Sequence, residues 1–258
     1  MGGRRSFATM AMRGEKDMSR ITTNTWERPW RRVWSVTLVV LVTMLCAPPR
    51  GTAQALRKGV SVELAVTHNA VAMPDADKDG SSIVAITHSG SVYFGIDPIT
   101  PAALAEKRGL STRAGGKVYI KADARTPYAN VAKVLDAVRT AGVTAPNLLT
   151  GQGETPAPGK LVVPNGLEVL VGPPLPSGRE LTVVQMFNSG GREPLLKIKD
   201  EDIPWTNLEI RLRQLYQNHS QKVVLVNADG RLPFSDVVHV IDVCRSTGAK
   251  VYLVTPTT

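Results

Sequence analysis

The chain has 258 residues and a formal net charge of +9 at pH 7, with 31 Lys and Arg residues against 22 Asp and Glu residues. Nine of those cations and three of those anions lie in residues 1–55, so the remainder carries only about +3. Proteins that bind nucleic acid carry a clustered basic face, and the remainder shows no such cluster in its sequence. We therefore expect no nucleic acid among the partners.

Residues 1–55 have the pattern of a targeting segment. The basic stretch 28–32 precedes an apolar run at 33–47, which at about 15 residues is shorter than the roughly 20 that a membrane-spanning helix needs. Ala53 and Ala55 then fit the small-x-small pattern of a signal-peptidase site. We predict either a cleaved secretory signal peptide or an uncleaved N-terminal membrane anchor. Either alternative places the body of the protein outside the cytoplasm, because the arginines precede the apolar run.

The first domain is predicted at residues 56–150. Its apolar and alternating segments predict strands, two helices and a tight hairpin turn at Ser89-Gly90. The strands are expected at 60–66, 82–88, 91–94, 118–120 and 147–150, and the helices at 102–108 and from Pro127 to the residue before Gly142. The Gly- and Pro-rich stretch 151–159 then predicts a linker.

The second domain is predicted at residues 160–258, and it repeats the order hairpin, helix, strand, helix, strand. Extended segments are expected at 161–163 and 167–171, a hairpin around 188–191, a helix from Pro204, a strand at 223–226, a helix from Pro233 to the residue before Gly248, and a strand at 251–255. Cys244, the only cysteine outside residues 1–55, lies on the apolar stripe of that last helix. This position predicts a buried thiol and no intramolecular disulfide.

The two domains share a repeated strand–turn–helix unit. Residues 117–142 return as 223–248, at a constant offset of 106 positions that pairs Asp123 with Asp229. In each copy a proline stands where the first helical residue is expected. The apolar stripes of the two helices fall at equivalent positions, namely Val131, Val134, Leu135 and Val138 in the first copy and Val237, Val240, Ile241 and Cys244 in the second. A tandem duplication of one small domain explains this pattern.

The predicted fold class is α/β, or α+β by some definitions. Each domain is expected to be a small mixed sheet with two helices on one face. A strand–helix–strand unit this tight makes its two strands parallel, with a right-handed crossover. The apolar stripes of the helices are expected to pack against the sheet and form the core.

The order of these elements and their motif residues resemble the ExbD/TolR family of biopolymer transport proteins. The matching residues are Ala122, Asp123, Tyr128, Val131, Val134, Leu135, Asp136 and Gly142 in the first copy, and Ala228, Asp229, Phe234, Val237, Val240, Ile241, Asp242, Gly248, Val254 and Thr255 in the second. The resemblance covers nearly all of the chain after the leader, twice over. It implies a short cytoplasmic tail, one membrane helix and a periplasmic α/β domain, which is duplicated here.

The resemblance also implies a function in a cell-envelope system for biopolymer transport or energy transduction. Members of the family work with a multi-span partner of the ExbB/TolQ type and couple the proton-motive force to a TonB- or TolA-like protein or to motility. Their periplasmic domains form dimers, and TolR-like members contact peptidoglycan. The implied partners are an ExbB/TolQ-like membrane protein, an ExbD/TolR-like paralogue, peptidoglycan, or a second copy of this chain. The implied location is the periplasm, or the inner membrane with a single span.

One departure from the family concerns proton handling. The resemblance implies an aspartate inside the membrane helix, because an ionisable residue at membrane depth is costly and therefore usually functional. The run at 33–47 contains no Asp or Glu, and its polar residues Ser35, Thr37 and Thr43 carry no proton at neutral pH. We therefore expect an accessory component without proton coupling of its own. The alternative is a stand-alone periplasmic module that binds or scaffolds peptidoglycan or a protein.

The candidate site residues come from the repeated motif and are expected to lie at an interface. They are Asp123, Arg125, Tyr128 and Asp136 in the first copy, and Asp229, Arg231, Phe234 and Asp242 in the second. The aspartates at the strand ends either form a shared contact site or accept hydrogen bonds from N–H groups at the next helix start. The aspartates within the helices lie either on a solvated face or in a salt bridge, or at a partner interface.

No metal, cofactor or catalytic group is expected. Asp75, Asp77, Asp79 and Gly80 copy the first half of an EF-hand loop, but Ile86 stands where the closing Glu belongs, so a solvated loop is favoured over a calcium site. The four histidines have no metal-ligand spacing, and the serines lack the context of a nucleophile elbow. We expect that the protein is not an enzyme.

Overall fold

The computed structural model describes residues 60–107, 109–110, 116–153, 162–172, 181–217 and 221–254. The predictions for residues 1–55 therefore lie outside the described residues. Within the described ranges no helix is both long enough and apolar enough to cross a bilayer. The first half is defined as residues 60–153 and the second half as residues 162–254, and two residues 106 positions apart are termed repeat mates.

The described residues form two β-sheets that each carry two helices, which confirms the predicted mixed α/β class. The strands of the first half are β1 (Val66–Thr67), β2 (Val71–Ala72), β3 (Ser82–Ile86), β4 (Val92–Phe94), β5 (Asp97–Pro98), β6 (Val118–Ala122) and β7 (Asn147–Gln152). Those of the second half are β8 (Asn165–Glu168), β9 (Leu170–Gly172), β10 (Thr182–Phe187), β11 (Leu195–Ile198), β12 (Glu201–Ile203), β13 (Val223–Ala228) and β14 (Lys250–Val254). The helices are α1 (Pro101–Ala105), α2 (Tyr128–Thr140), α3 (Leu208–Leu215) and α4 (Phe234–Ser246).

The two sheets have the same central order, which follows from the sequence repeat. The first sheet runs β2-β8-β7-β6-β3-β4-β5, with β1 beside the far end of β7, and the second runs β12-β11-β10-β13-β14-β9. In both, a strand–helix–strand crossover makes the flanking strands parallel, with Ile120 opposite Leu148 and Val224 opposite Val251. The predicted hairpins are present as the antiparallel pairs β3–β4 and β10–β11.

The predictions for the extended segments at 60–66 and 167–171 need correction. Residues 60–66 were expected to form one strand, but only Val66 and Thr67 pair with β7, and they do so in parallel. The residues before β1 make other contacts, since the Glu63 carbonyl accepts a hydrogen bond from the Ala124 N–H at 2.7 Å. The extended segment expected at 167–171 is divided into β8 and β9. β8 pairs with β7 in the first sheet, and β9 pairs with β14 in the second.

The helix predicted at 102–108 is shorter, since α1 ends at Ala105, and the helix predicted from Pro204 begins at Leu208 after a 3-10 turn. The starts of α2 and α4 also differ from the prediction, while their ends agree with it to within one residue. Pro127 and Pro233 were expected as first helical residues, but their ψ angles of 135° and 141° are extended, and each helix begins one residue later. The extended prolines let the next N–H leave the helix and reach the other half of the chain. Gly142 and Gly248 follow the helices with φ of 91° and 77°, the left-handed geometry that glycine adopts without strain.

One apolar core extends through both halves. The helix stripes pack on their sheets as predicted, and Val134, Val240 and Cys244 are completely buried. A smaller cluster lies on the opposite face of the first sheet, where Met73 and Ala76 cover Tyr119 and its neighbours Ile83 and Leu149. Because the larger cluster contains residues of both helices α2 and α4, the two halves are packed against each other.

Candidate functional site

The repeated motif brings the two halves together through reciprocal hydrogen bonds. The Tyr128 N–H donates to the Leu232 carbonyl at 2.8 Å, and the Phe234 N–H donates to the Thr126 carbonyl at 2.9 Å. Each bond is the repeat mate of the other. Such an exchange, in which the same patch is used twice in opposite senses, is the arrangement of a two-fold symmetric interface.

A second reciprocal pair extends this junction, which we define as residues 124–129 and 230–235. The Ala129 N–H donates to the Gly230 carbonyl at 2.9 Å, and the Ser235 N–H donates to the Ala124 carbonyl at 2.8 Å. Pro127 and Pro233 form an antiparallel bridge at its centre. The first N–H groups of both helices, which have no acceptor inside their own helix, are therefore satisfied by the other half of the chain.

The aromatic motif residues are buried at this junction. Tyr128 and Phe234 begin their helices and expose 2% and 1% of their surface. The Tyr128 hydroxyl has no hydrogen-bond partner among the described residues, and burial raises the pKa of the phenol. Close approach also constrains Gly230, because a Cβ at that position would lie 2.9 Å from the Ala129 Cβ. These side chains fill the interface between the halves.

The motif aspartates at the strand ends pair with the arginine two residues later. Asp123 accepts hydrogen bonds from the backbone N–H and the guanidinium Nε of Arg125, at 3.1 and 3.0 Å. Asp229 accepts from the equivalent atoms of Arg231, at 2.9 and 3.2 Å. These backbone donors thus lie in the turn that precedes each helix, at Arg125 and Arg231. Arg231 holds the pKa of the Asp229 carboxyl at about 2, and Arg125 likewise lowers the pKa of Asp123.

The two helical aspartates, Asp136 and Asp242, have different environments. Asp136 is partly buried and pairs with Arg139, whose Nη2 lies 2.6 Å from the carboxylate. Asp242 is 2% exposed and accepts the backbone N–H groups of His68 and Asn69, both at 2.9 Å. The carboxylate of α4 therefore fixes the segment that follows β1, and so ties the beginning of the first half to the second half.

In the loop that copies half of an EF-hand, the Asp75 carboxylate is paired with two lysines. Pro74–Asp77 form a single 3-10 turn. The Asp75 carboxylate lies 2.7 Å from Lys78 Nζ and 3.0 Å from Lys117 Nζ, and these two ammonium groups hold its pKa at about 2. Among the described residues no group of three or more metal-ligating side chains is found. Cys244 has a free thiol whose pKa burial raises to about 12.

Lys121 is not among the site residues predicted from the sequence. It lies in β6, is completely buried, and its Nζ has no hydrogen-bond partner among the described residues. Desolvation lowers the pKa of its amine. A lysine between Ile120 and Ala122 in a strand of buried residues is a recognisable signal, since lysine is rarely buried without a partner. The reciprocal backbone hydrogen bonds of the junction cannot be recognised in the sequence, because every residue except proline supplies both a backbone N–H and a carbonyl.

Comparison with known proteins gives one match. No curated protein and no solved structure matches the chain. The family model described as "Biopolymer transport protein ExbD/TolR" matches residues 35–153 and 175–257, which is well over half of the chain and includes each copy of the repeat. That family comprises non-enzymatic transport components that are membrane-associated, carry a periplasmic domain and work with ExbB/TolQ-type partners. The chain belongs to the ExbD/TolR family of biopolymer transport proteins, with the family's domain present in tandem.

Proposed function

We propose that this protein is an accessory component of an ExbB/ExbD- or TolQ/TolR-like envelope system, in which it supplies a permanently paired set of periplasmic domains. The observation that carries the proposal is the reciprocal pairing around Pro127 and Pro233. A dimer of separate subunits dissociates when it is diluted. A pair joined in one chain stays together, because its effective local concentration does not depend on the amount of protein.

Lack of a proton carrier supports the accessory role. The run at 33–47 holds no Asp or Glu. A proton path through the membrane needs an ionisable group at depth. We propose that an ExbB/TolQ-like protein or a proton-competent ExbD/TolR-like paralogue supplies this path, and that the present chain contributes its periplasmic pair to their assembly.

Retention of the N-terminal run as an anchor is part of the proposal. The family match begins at residue 35, inside the apolar run, which supports a single membrane span with the paired domains in the periplasm. The decisive experiment uses a C-terminally tagged full chain, separated into membrane and soluble fractions, with the N-terminus of the purified protein read by mass spectrometry. We expect a membrane-bound species that retains residues 33–47 and co-purifies with a multi-span partner.

A soluble species that begins at Leu56 would contradict the membrane role. The Ala53–Ala55 pattern favours that outcome, and the protein would then be a stand-alone periplasmic module that binds peptidoglycan or a protein. Sedimentation with purified cell-wall sacculi tests the peptidoglycan alternative directly. An unrelated periplasmic protein of similar charge is the control, and co-sedimentation of both proteins would show non-specific adsorption.

Pairing within the chain also bears on self-association. The junction residues that an unduplicated domain would offer to a second copy are already used inside one chain. We therefore propose that the soluble part of the protein is monomeric and does not dimerise through this surface. Light scattering across a range of protein concentrations measures the molar mass, and a constant monomer mass is expected.

A further inference from the structure

The hairpin turns of the two halves differ where they approach the repeated helix. In the first half residues 87–91 join β3 to β4, and Gly90 packs directly on Asn130 of α2. A Cβ at Gly90 would lie 2.5 Å from the Asn130 Nδ2. The φ of 85° at Gly90 completes a tight turn. The hairpin of the first half is thus closed onto its helix.

In the second half the hairpin borders a cleft on the side of the β11–β12 strands and the turn that follows them. Residues 188–194 join β10 to β11, a longer connection than in the first half. A cleft of about 450 Å³ lies between this connection and the 3-10 turn Trp205–Asn207. Its volume lies within the range of sites that bind small molecules and short peptide segments.

One wall of the cleft is apolar and rigid. The Trp205 indole N–H donates to the Pro194 carbonyl at 2.8 Å, so the group that the indole offers to a ligand is its ring. The ring also packs on His239 of α4, with centroids 5.3 Å apart. Leu195 lines the cleft with 40% of its surface exposed, and Pro204 stands beside it. This combination of an indole ring with proline and leucine suits extended apolar segments that need no backbone hydrogen bonds.

The other side of the cleft is acidic. Glu193 and Asp202 line it, and Asp202 is exposed although Lys197 lies 3.3 Å from its carboxylate. Asp236, in the first turn of α4, lies close enough to add to this charge. Burial raises the pKa of Asp236, and the negative charge of Glu193 raises it further. Its repeat mate in the first half is the neutral Asn130, so this negative charge is particular to the second half.

We propose that this cleft binds an extended, proline-containing peptide segment of a partner protein that also carries Arg or Lys. The prolines would pack on the Trp205 ring and Leu195, and the cation would be held by Glu193 and Asp202. A polyproline-type segment is extended before it binds, so it loses little conformational entropy on docking, and aromatic-lined grooves recognise it in this way. The acidic rim then selects for positive charge by electrostatic complementarity.

The test measures fluorescein-labelled ten-residue peptides by fluorescence anisotropy against the full chain in detergent. Four peptides are compared. Three of them share proline and leucine and differ in the added residue, which is arginine, glutamate or serine. The fourth contains arginine with alanine in place of proline and leucine. Trp26, Trp30 and Trp34 are replaced by Phe, which leaves Trp205 as the only tryptophan and makes its emission a second readout at the cleft. Muropeptide fragments serve as a carbohydrate probe.

Only the proline–arginine peptide is expected to bind and to shift the Trp205 emission. Glu193→Arg, an exposed substitution that leaves the core intact, is expected to weaken binding at least about tenfold. Trp205→Ala is expected to abolish it. Glu106→Arg in the first half and Ile210→Ala, an exposed apolar residue outside the cleft, are the matched controls and should leave the affinity unchanged.

Three results would overturn the proposal. They are no binding of the proline–arginine peptide up to about 1 mM, equal binding of the glutamate peptide, and an affinity that Glu193→Arg does not change. Binding of the muropeptides without the peptides would assign the cleft to carbohydrate instead. None of these outcomes depends on membrane retention or on an ExbB/TolQ-type partner. The proposed peptide site can therefore be disproved without disproving the accessory role, and the reverse also holds.

Discussion

Asp136 and Asp242 occupy the same position in the two copies of the repeated helix, yet the first carboxylate pairs with the guanidinium of Arg139 and the second accepts two backbone N–H groups in the interior. The difference arises from what covers each helix. The segment after β1 crosses α4 at Asp242. One sequence position has thus acquired a structural role in one copy only.

Removal of the buried carboxylate should be far more harmful than removal of its mate. Asp242→Ala leaves the N–H groups of His68 and Asn69 without acceptors, and we expect a loss of about 3 kcal/mol in the free energy of unfolding. Asp136→Ala breaks a partly solvated ion pair and should cost less, about 1 kcal/mol. Urea denaturation of the two variants measures both values. Equal losses would show that the Asp242 contact contributes no more than the Asp136–Arg139 pair.

The junction predicts a rescue experiment. Gly230→Ala places a Cβ 2.9 Å from that of Ala129, and we expect a destabilisation of roughly 1–2 kcal/mol from overpacking. Adding Ala129→Gly removes the clash and should restore most of the loss, apart from the cost of glycine at the start of a helix. The double-mutant cycle is read from thermal melts. If the second change restores nothing, the close approach of these residues is not the cause of the loss.

Core burial predicts a severe effect of charge on the helix stripes. Val134 and Val240 are fully buried in the core cluster that spans both halves. Val134→Asp or Val240→Asp buries an unpaired carboxylate, which is severely costly, and each should unfold the protein. Because the cluster is continuous, loss of structure in one half should be accompanied by loss in the other. Circular dichroism during heating tests this, and an unchanged melting temperature would exclude the stripe from the core.

A stabilising change is predicted at the β11–β12 turn. Lys199 and Asp200 both have positive φ, 49° and 69°, in the two-residue connection between these strands. This turn geometry favours Asn followed by Gly. Replacing the pair by Lys199→Asn and Asp200→Gly should therefore raise the free energy of unfolding by about 1 kcal/mol. The reverse order, Lys199→Gly and Asp200→Asn, is a useful comparison because it changes the same positions, and it should gain less.

Acid sensitivity is predicted for the Asp229–Arg231 pair. The folded-state pKa of Asp229 is about 2, below its ordinary value of 3.8. The folded state therefore holds the proton less tightly than the unfolded state, and the pair stabilises the fold above pH 4. That contribution is lost as the pH falls from about 4 towards 2. Asp229→Asn should make the stability less dependent on pH in this window. An identical pH profile in both proteins would show that the pair is not formed in solution.

The repeat and its strand–helix–strand units were predictable from the sequence, because apolar spacing and the glycines at the helix ends carry strong local signals. Asp242 could not be separated from Asp136 in this way. The two residues have the same type and the same helical position, and only the distant segment that contains His68 and Asn69 distinguishes them. The cleft beside Trp205 depends on how the β10–β11 connection lies against the 3-10 turn Trp205–Asn207, which sequence spacing does not determine.

Residues 165–172 supply one strand to each sheet, since β8 pairs with β7 and β9 pairs with β14. A chain divided between residues 153 and 162 would therefore lose β8 from the upstream product, whose sheet uses it, and leave β8 unpaired in the downstream product. The two copies are therefore not separable modules, because a strand from the second half completes the sheet of the first.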